Sequence, residues 1–179
     1  YKFIEEIKCI KLSNIKNHLD FVNGENKDYV IYATGEYQVA YVQLPSNIVG
    51  HTLTNIRIDP VSSAGNEPLK GSYTIDYIYA GKPNNSPKNK LEHMGGGRYI
   101  LADFDIEAPL SGTNDWITHN SVVSGDTGAG VLKGTYKGGD PYATSLKDFF
   151  YKIQKDDVVE IRMKSNVTGG IINDRMEFF

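Results

Sequence analysis

The sequence predicts an all-β protein in which antiparallel strands form a sandwich or a barrel. About ten short apolar or alternating segments recur along the chain, each followed by a turn-forming cluster. The 18 Gly residues, together with many Asn and Asp, favour a turn-rich chain. No region alternates strands with helices, so a parallel α/β sheet is not expected.

The predicted strands are rich in β-branched and aromatic residues, and most alternate with a period of two. They cover residues 3–12, 29–33, 37–44, 55–59, 73–79, 98–104, 122–123, 131–136, 158–164 and 171–179. Residues 15–22 are ambiguous, because their apolar positions have helical spacing but Asn23-Gly24 ends the segment at once. Residues 143–150 are predicted to be irregular or briefly helical.

The segment 55–80 is the clearest pair of strands in the chain. Ile56 and Ile58 point to one face of a strand that Pro60 ends, because proline cannot donate to a ladder. A loop of Ser, Ala, Gly, Asn and Pro follows. In the second strand, alternation places four residues on one face, namely Tyr73, Ile75, Tyr77 and Tyr79.

Composition limits the function classes. The chain is 40% hydrophobic and 23% charged, as in ordinary globular proteins. The net charge of −3 gives no electrostatic case for binding nucleic acid or an anionic membrane. No apolar run approaches the roughly 20 residues of a membrane span, so no membrane insertion is expected. A single cysteine, Cys9, excludes an internal disulfide framework and a zinc knuckle, and its apolar setting predicts a buried strand residue.

Residues 81–97 form the strongest boundary in the sequence. This segment, GKPNNSPKNKLEHMGGG, combines two prolines, several Asn and Lys, and three consecutive glycines. Such a composition is typical of a linker. The sequence before it, which begins at Tyr1, lacks the layout of a signal peptide, so we expect either that such a peptide was removed or that the chain is an internal fragment.

Several short phrases on the two sides of this linker carry a resemblance to a family. They are IRIDPV at 56–61, IDYI at 75–78, DW at 115–116, GVLKG at 130–134, GDPY at 139–142, EIRMK at 160–164 and MEFF at 176–179. Together they resemble the jelly-roll carbohydrate-binding modules of galactose-binding-like type, found in secreted and S-layer-associated bacterial polysaccharide-degrading proteins. The resemblance implies an antiparallel β-sandwich of jelly-roll topology.

The order of these phrases is reversed relative to the family. Residues 1–80 resemble the family's C-terminal half, and residues 98–179 resemble its N-terminal half. The chain is therefore either one sandwich domain, residues 1–179, in circularly permuted order, or two half-domains cut from a tandem array. We expect the permuted single domain, because half-domains would leave sheet edges bare whereas sandwich termini at the surface tolerate rejoining.

No enzyme is expected. A glycosidase needs two converging carboxylates, and the 22 acidic residues are scattered along the chain. The sequence also lacks a Gly-x-Ser-x-Gly phrase, a His-Glu-x-x-His phrase and a phosphate-binding glycine loop. Its four histidines share no spacing that suits a metal ion.

Sugar binding requires an aromatic platform and planar polar groups that hydrogen-bond the hydroxyls. The candidate ligand-binding residues are Trp116, Tyr136, Tyr142, Asp140, Arg57 and Arg162. Trp116 is either a binding aromatic in a polar loop or a core residue beneath it. Tyr142 is either at the binding site or a packing residue, and each arginine is either a ligand donor or an ordinary solvated charge.

Modules of the resembled type often hold a structural calcium ion, so the resemblance implies a possible Ca²⁺ site. Asp103, Asp105 and Glu107 alternate on one predicted strand face, and carboxylate oxygens are the ligands that Ca²⁺ prefers. By the same resemblance Asp76 joins them. The alternative is an acidic strand edge that discourages aggregation.

These observations predict a non-catalytic carbohydrate-binding module of a secreted or cell-surface bacterial protein, with an extracellular location. Its partner would be a polysaccharide or an oligosaccharide, bound by aromatic stacking and hydrogen bonds. The first alternative is a structural or adhesive sandwich that binds no glycan, and the second, ranked behind it, is a glycoside-active enzyme.

Overall fold

The computed structural model of the protein describes eight parts of the chain. They are residues 26–29, 31–60, 70–83, 99–119, 121–126, 130–137, 141–166 and 174–178. Cys9, the first predicted strand, the ambiguous segment 15–22 and Asp140 lie outside the described residues.

The described residues form thirteen strands and two 3-10 helices. The strands are β1 (Asn26–Tyr29), β2 (Gln38–Gln43), β3 (Thr52–Leu53), β4 (Ile56–Asp59), β5 (Ser72–Gly81), β6 (Tyr99–Asp103), β7 (Trp116–His119), β8 (Ser121–Asp126), β9 (Val131–Tyr136), β10 (Tyr142–Ser145), β11 (Tyr151–Lys152), β12 (Val158–Ser165) and β13 (Asp174–Phe178). The 3-10 helices are Ser46–Ile48 and Thr113–Asp115. No helix in these parts of the chain is long and apolar enough to cross a membrane.

The strands form two large antiparallel sheets and one small one. The five-stranded sheet has the order β1-β13-β4-β10-β7, and the two-stranded sheet pairs β11 with β3. The six-stranded sheet has the order β2-β12-β5-β9-β8, and β6 also pairs with β5. Strand β5 is long enough for β9 to pair with its first half and β6 with its second half, while β12 runs along its other edge. The predicted all-β antiparallel sandwich is thereby confirmed.

Strands from before and after residues 81–97 are interleaved in both large sheets. Strand β4 lies between β13 and β10, and β5 lies between β12 and β9. Each strand of the first part is therefore bonded to strands of the second part. The permuted single domain itself stays a prediction.

One apolar core is built from alternate residues of both large sheets. Ile56 and Ile58 of β4 reach it from the five-stranded sheet, and Val159, Ile161 and Met163 of β12 reach it from the six-stranded sheet. All five side chains are fully buried. Burial of a large aliphatic side chain contributes roughly 1.5–3 kcal/mol, so this shared core holds the two sheets together.

A β-bulge at Asp76 divides β5. In the ladder with β12, Met163 is opposite Ile75 and Arg162 is opposite Tyr77, so Asp76 is left without an opposite residue. The extra residue shifts the alternation: Ile75 and then Ile78 face the core. The prediction that Tyr73, Ile75, Tyr77 and Tyr79 share one face was therefore wrong for Tyr77 and Tyr79, which lie on the opposite face.

Candidate functional site

The candidate site lies on the face of the six-stranded sheet that is turned away from the apolar core, which we call the outer face. Strand β12 shows the division clearly. Val159, Ile161 and Met163 belong to the core, so the alternating residues Arg162 and Lys164 point to the outer face. Both are partly accessible. The polar half of an alternating strand thus supplies this surface.

A cleft of about 480 Å³ opens on the outer face. Six of the side chains that line it are Tyr37, Ser72, Thr74, Lys133, Thr135 and Lys164. They come from the segment before β2 and from β5, β9 and β12. The volume lies in the range of clefts that bind small molecules or short stretches of a polymer.

The sheet register arranges the polar residues of the cleft in rows. Lys164 of β12 is opposite Thr74 of β5, and Thr74 is opposite Lys133 of β9. The neighbouring row pairs Ser72 with Thr135. Residues directly opposite each other in a sheet point to the same face, so two lysines flank one threonine hydroxyl and two more hydroxyls lie beside them.

Tyr37 forms the aromatic wall of the cleft, and two cations contact its ring. The Arg162 guanidinium lies 4.3 Å from the ring centroid and the Lys164 Nζ lies 4.6 Å from it. Arg162 also forms an ion pair with Asp76, the bulged residue of β5. Cation–π contacts of this kind are worth roughly 0.5–1 kcal/mol at exposed sites, so the ring favours these positions of both cations.

Next to the cleft, the outer face carries a buried layer of paired phenols and carboxylates. Tyr77 and Tyr79 stack with 4.4 Å between ring centroids. The Tyr77 hydroxyl donates to Glu160 and the Tyr79 hydroxyl donates to Asp103, each over 2.9 Å. Burial raises the pKa of both tyrosines above the ordinary value, and the hydrogen bonds to the carboxylates raise it further.

Strand β2 forms one edge of the six-stranded sheet and extends the aromatic surface. Val39 and Tyr41 follow Tyr37 at intervals of two, and Tyr41 is 44% exposed. Sequence reasoning did not select Tyr37 or Tyr41 as site residues. Their signal was present, because tyrosines recur there on the polar side of an alternating strand.

The structure describes five of the six predicted ligand-binding residues, all but Asp140, and these five do not come together at one site. Arg162 lies on the outer face of the six-stranded sheet, beside the cleft. Arg57 and Tyr142 lie on the five-stranded sheet, on the face opposite to its core residues, where the Arg57 guanidinium is 3.8 Å from the Tyr142 ring centroid. His119 stacks on Tyr142 there at 5.0 Å, and Asp59 accepts two hydrogen bonds from Arg57.

Trp116 and Tyr136 belong to the apolar core. Trp116 is 5% exposed, and the Tyr136 hydroxyl lies 3.3 Å from Ser165 Oγ. Of the two alternatives for Trp116, a binding ring or a core residue, the structure therefore shows the core residue. Neither ring offers a face to a ligand. Within the described residues, the buried indole nitrogen of Trp116 has no hydrogen-bond partner.

The core position of Trp116 gives a testable expectation. Trp116→Ala is expected to lower the free energy of unfolding by about 3–5 kcal/mol, whereas Trp116→Phe should cost about 1 kcal/mol, since the phenyl ring keeps most contacts and removes an unpartnered N–H. Urea unfolding followed by circular dichroism measures both. Loss of glycan binding in a stable Trp116→Phe variant would instead assign the indole to the ligand site.

The structure does not gather the four predicted calcium ligands into one group. Strand β6 ends at Asp103, so Asp105 and Glu107 do not continue its alternation, and they are exposed while Asp103 is fully buried. Asp103 accepts hydrogen bonds from Tyr79 and from the Asp105 backbone N–H, and Asp76 is paired with Arg162. No group of three His, Cys, Asp or Glu residues within the described ranges is arranged to hold a metal. Calcium binding stays a prediction to which these residues give no site.

A scan of the sequence against protein-family models finds no match, and a search of curated proteins finds none either.

Proposed function

We propose that the protein is a non-catalytic carbohydrate-binding module that holds polysaccharide in the cleft on the outer face of the six-stranded sheet. The cleft itself is the observation that supports this function. It presents the hydroxyls of Ser72, Thr74 and Thr135 in two adjacent rows. Hydroxyl groups both donate and accept, as sugar hydroxyls do, so such rows suit a chain of sugars.

Aromatic residues beside the hydroxyl rows support the same proposal. Tyr37, which directly precedes the edge strand β2, lines the cleft with two cations over its ring, and Tyr41 of β2 is exposed. The exposed Tyr41 ring can bind the C–H face of a sugar through apolar contact. A polysaccharide would lie with its hydroxyls over the threonines and with a neighbouring sugar against Tyr41.

The charges of the cleft favour binding over hydrolysis. The residues that line it in the described part of the chain include no Asp or Glu. Hydrolysis of a glycosidic bond requires two carboxyl groups, one on each side of that bond.

We propose further that the module belongs to the galactose-binding-like jelly rolls, in permuted order, and that it is part of a secreted or cell-surface bacterial protein. The support for this proposal is that its short sequence phrases resemble those of that family.

Filling the cleft tests the proposed function. Thr135→Trp places an indole where the ligand would lie and is expected to weaken binding at least about tenfold by steric exclusion, since binding needs a vacant concave site. Thr52→Trp is the matched control, because Thr52 is also an exposed strand threonine but lies in the two-stranded sheet. Affinity electrophoresis through gels that contain soluble polysaccharides measures the retardation of each variant.

Three outcomes would contradict the proposal. Absence of retardation by every polysaccharide of a broad panel would favour the structural or adhesive module. Equal weakening by Thr135→Trp and Thr52→Trp would remove the cleft as the binding site. Release of reducing sugar from a retarding polysaccharide would contradict the non-catalytic assignment.

A further inference from the structure

We infer that the cleft selects an anionic polysaccharide, whose sugars carry carboxylate or sulfate groups. This inference deepens the proposed function and rests on it. The first observation that supports it is the positive sign of the charges in the cleft. The lining carries two ammonium groups, those of Lys133 and Lys164, and no carboxylate among the described residues, although the whole chain has a net charge of −3.

Lys164 is positioned to donate hydrogen bonds to an anion. Its Nζ contacts the Tyr37 ring, and no carboxylate of the described residues pairs with it. The neighbouring Arg162 differs, because Asp76 neutralises it. The contact with the Tyr37 ring thus favours this position of Lys164, and among the described residues no carboxylate neutralises its charge, so a ligand would meet a cation that is already positioned.

Lys133 and Lys164 are aligned across the sheet. Both are opposite Thr74, which lies on the strand between them. Since neighbouring strands are about 4.8 Å apart, the two lysine backbones are about 10 Å apart, with the buried Thr74 as the floor between them. Each ammonium has three donors, so an acidic group above Thr74 could accept from both sides even where a lysine keeps another partner.

The contacts of the Tyr37 ring also favour an anionic ligand over a neutral one. Two cations contact its ring, so its face is engaged by protein groups. A neutral sugar that relied on stacking would have to displace them. An acidic sugar would instead place its negative charge beside the ammonium groups of Lys133 and Lys164, an attraction that weakens with salt.

The same features separate an acidic glycan from a nucleic acid. Nucleic-acid sites track a phosphate chain with a broad basic surface and stack bases on open aromatic rings. Here the described residues that line the cleft include two basic ones, Lys133 and Lys164, which lie in one row with the hydroxyls of Ser72, Thr74 and Thr135 beside them, in a protein of net charge −3. The chemistry therefore fits a hydroxyl-rich polymer with spaced negative groups.

Matched pairs of polysaccharides test the inference without any mutation. Polygalacturonate is compared with its fully methyl-esterified form, and dextran sulfate with dextran, by affinity electrophoresis and calorimetry. The protein is expected to bind the charged member of at least one pair about tenfold or more tightly than the neutral member. Preference within the first pair alone assigns carboxylate, within the second alone assigns sulfate, and within both assigns negative charge as such.

A double variant links the preference to the cleft. Lys133→Gln with Lys164→Gln is expected to abolish the preference for the charged member. The control, Lys152→Gln with Lys155→Gln, removes two exposed lysines elsewhere and should keep it. Equal affinity for charged and neutral members would overturn the inference while leaving the proposed function intact, and no binding to any polysaccharide would overturn both. Equal affinity for a single-stranded DNA oligonucleotide would overturn the assignment to a polysaccharide.

Discussion

Replacing Gly134 by alanine is expected to lower the free energy of unfolding by about 3 kcal/mol, the upper range for overpacking a core. Gly134 lies in β9 directly opposite Tyr73 of β5, and its φ is not in the left-handed region. A Cβ at this position would overlap the ring of Tyr73. That ring is 1% exposed and packs against Tyr136 with 5.5 Å between centroids, so it has no room to move.

A matched glycine separates this packing effect from a general cost of Gly→Ala. A Cβ on Gly112 would meet only Asp115, at an ordinary contact distance of 3.4 Å. Gly112→Ala is therefore expected to change stability by no more than about 0.5 kcal/mol in the same urea titration. Tyr73→Leu should cost less in the Gly134→Ala background than alone, because the overlap disappears with the ring. Additive effects would show that Tyr73 is not what Gly134 accommodates.

The stacked tyrosines are expected to make the fold sensitive to high pH. The pKa of Tyr77 and that of Tyr79 are raised above the ordinary value of 10.0 in the folded protein, by burial and by hydrogen bonds to Glu160 and Asp103. The folded state thus holds these two protons more tightly than the unfolded state does. Their contribution to stability is fully present below about pH 10 and is lost above it, by about 1.4 kcal/mol per pH unit for each tyrosine.

The double variant Tyr77→Phe, Tyr79→Phe tests whether these two phenols cause the loss of stability at high pH. Near neutral pH it is expected to be less stable by about 3 kcal/mol or more, since two buried carboxylates each lose a donor. Above pH 10 its stability should fall less steeply than that of the original protein. Tyr41→Phe, at an exposed position, is the control and should alter neither quantity. An equally steep alkaline loss in the double variant would rule out these phenols as its origin.

Local alternation was enough to predict many strands. Residues 131–136 were predicted with the bounds of β9, and 158–164 and 73–79 fall within β12 and β5. Each has a clear period of two or a β-branched run, which reflects one buried and one polar face. Strands β7 and β10 were missed, because four residues are too few to show a period and neither segment has turn signals at both ends.

The candidate site was harder to predict, because it depends on pairing between distant segments. Lys133, Thr74 and Lys164 become neighbours only through the registers of β9 and β12 with β5. Single-sequence patterns carry no information on those registers. Trp116 shows a different limit: an aromatic residue in a polar stretch suggests a binding ring, but the strand alternation that begins at that residue turns it into the core.

The bulge at Asp76 has a consequence for any attempt to redesign or transplant β5. Odd-numbered positions before it, such as 73 and 75, belong to the apolar interior, whereas the odd-numbered positions 77 and 79 belong to the polar side. Within the ten residues of β5, the side chains in the interior therefore have odd numbers before the bulge and even numbers after it. A graft, a designed substitution or a comparison with a shorter strand has to be aligned from Asp76 outward, because alignment from either end of β5 would exchange the interior with the outer face for half of the strand.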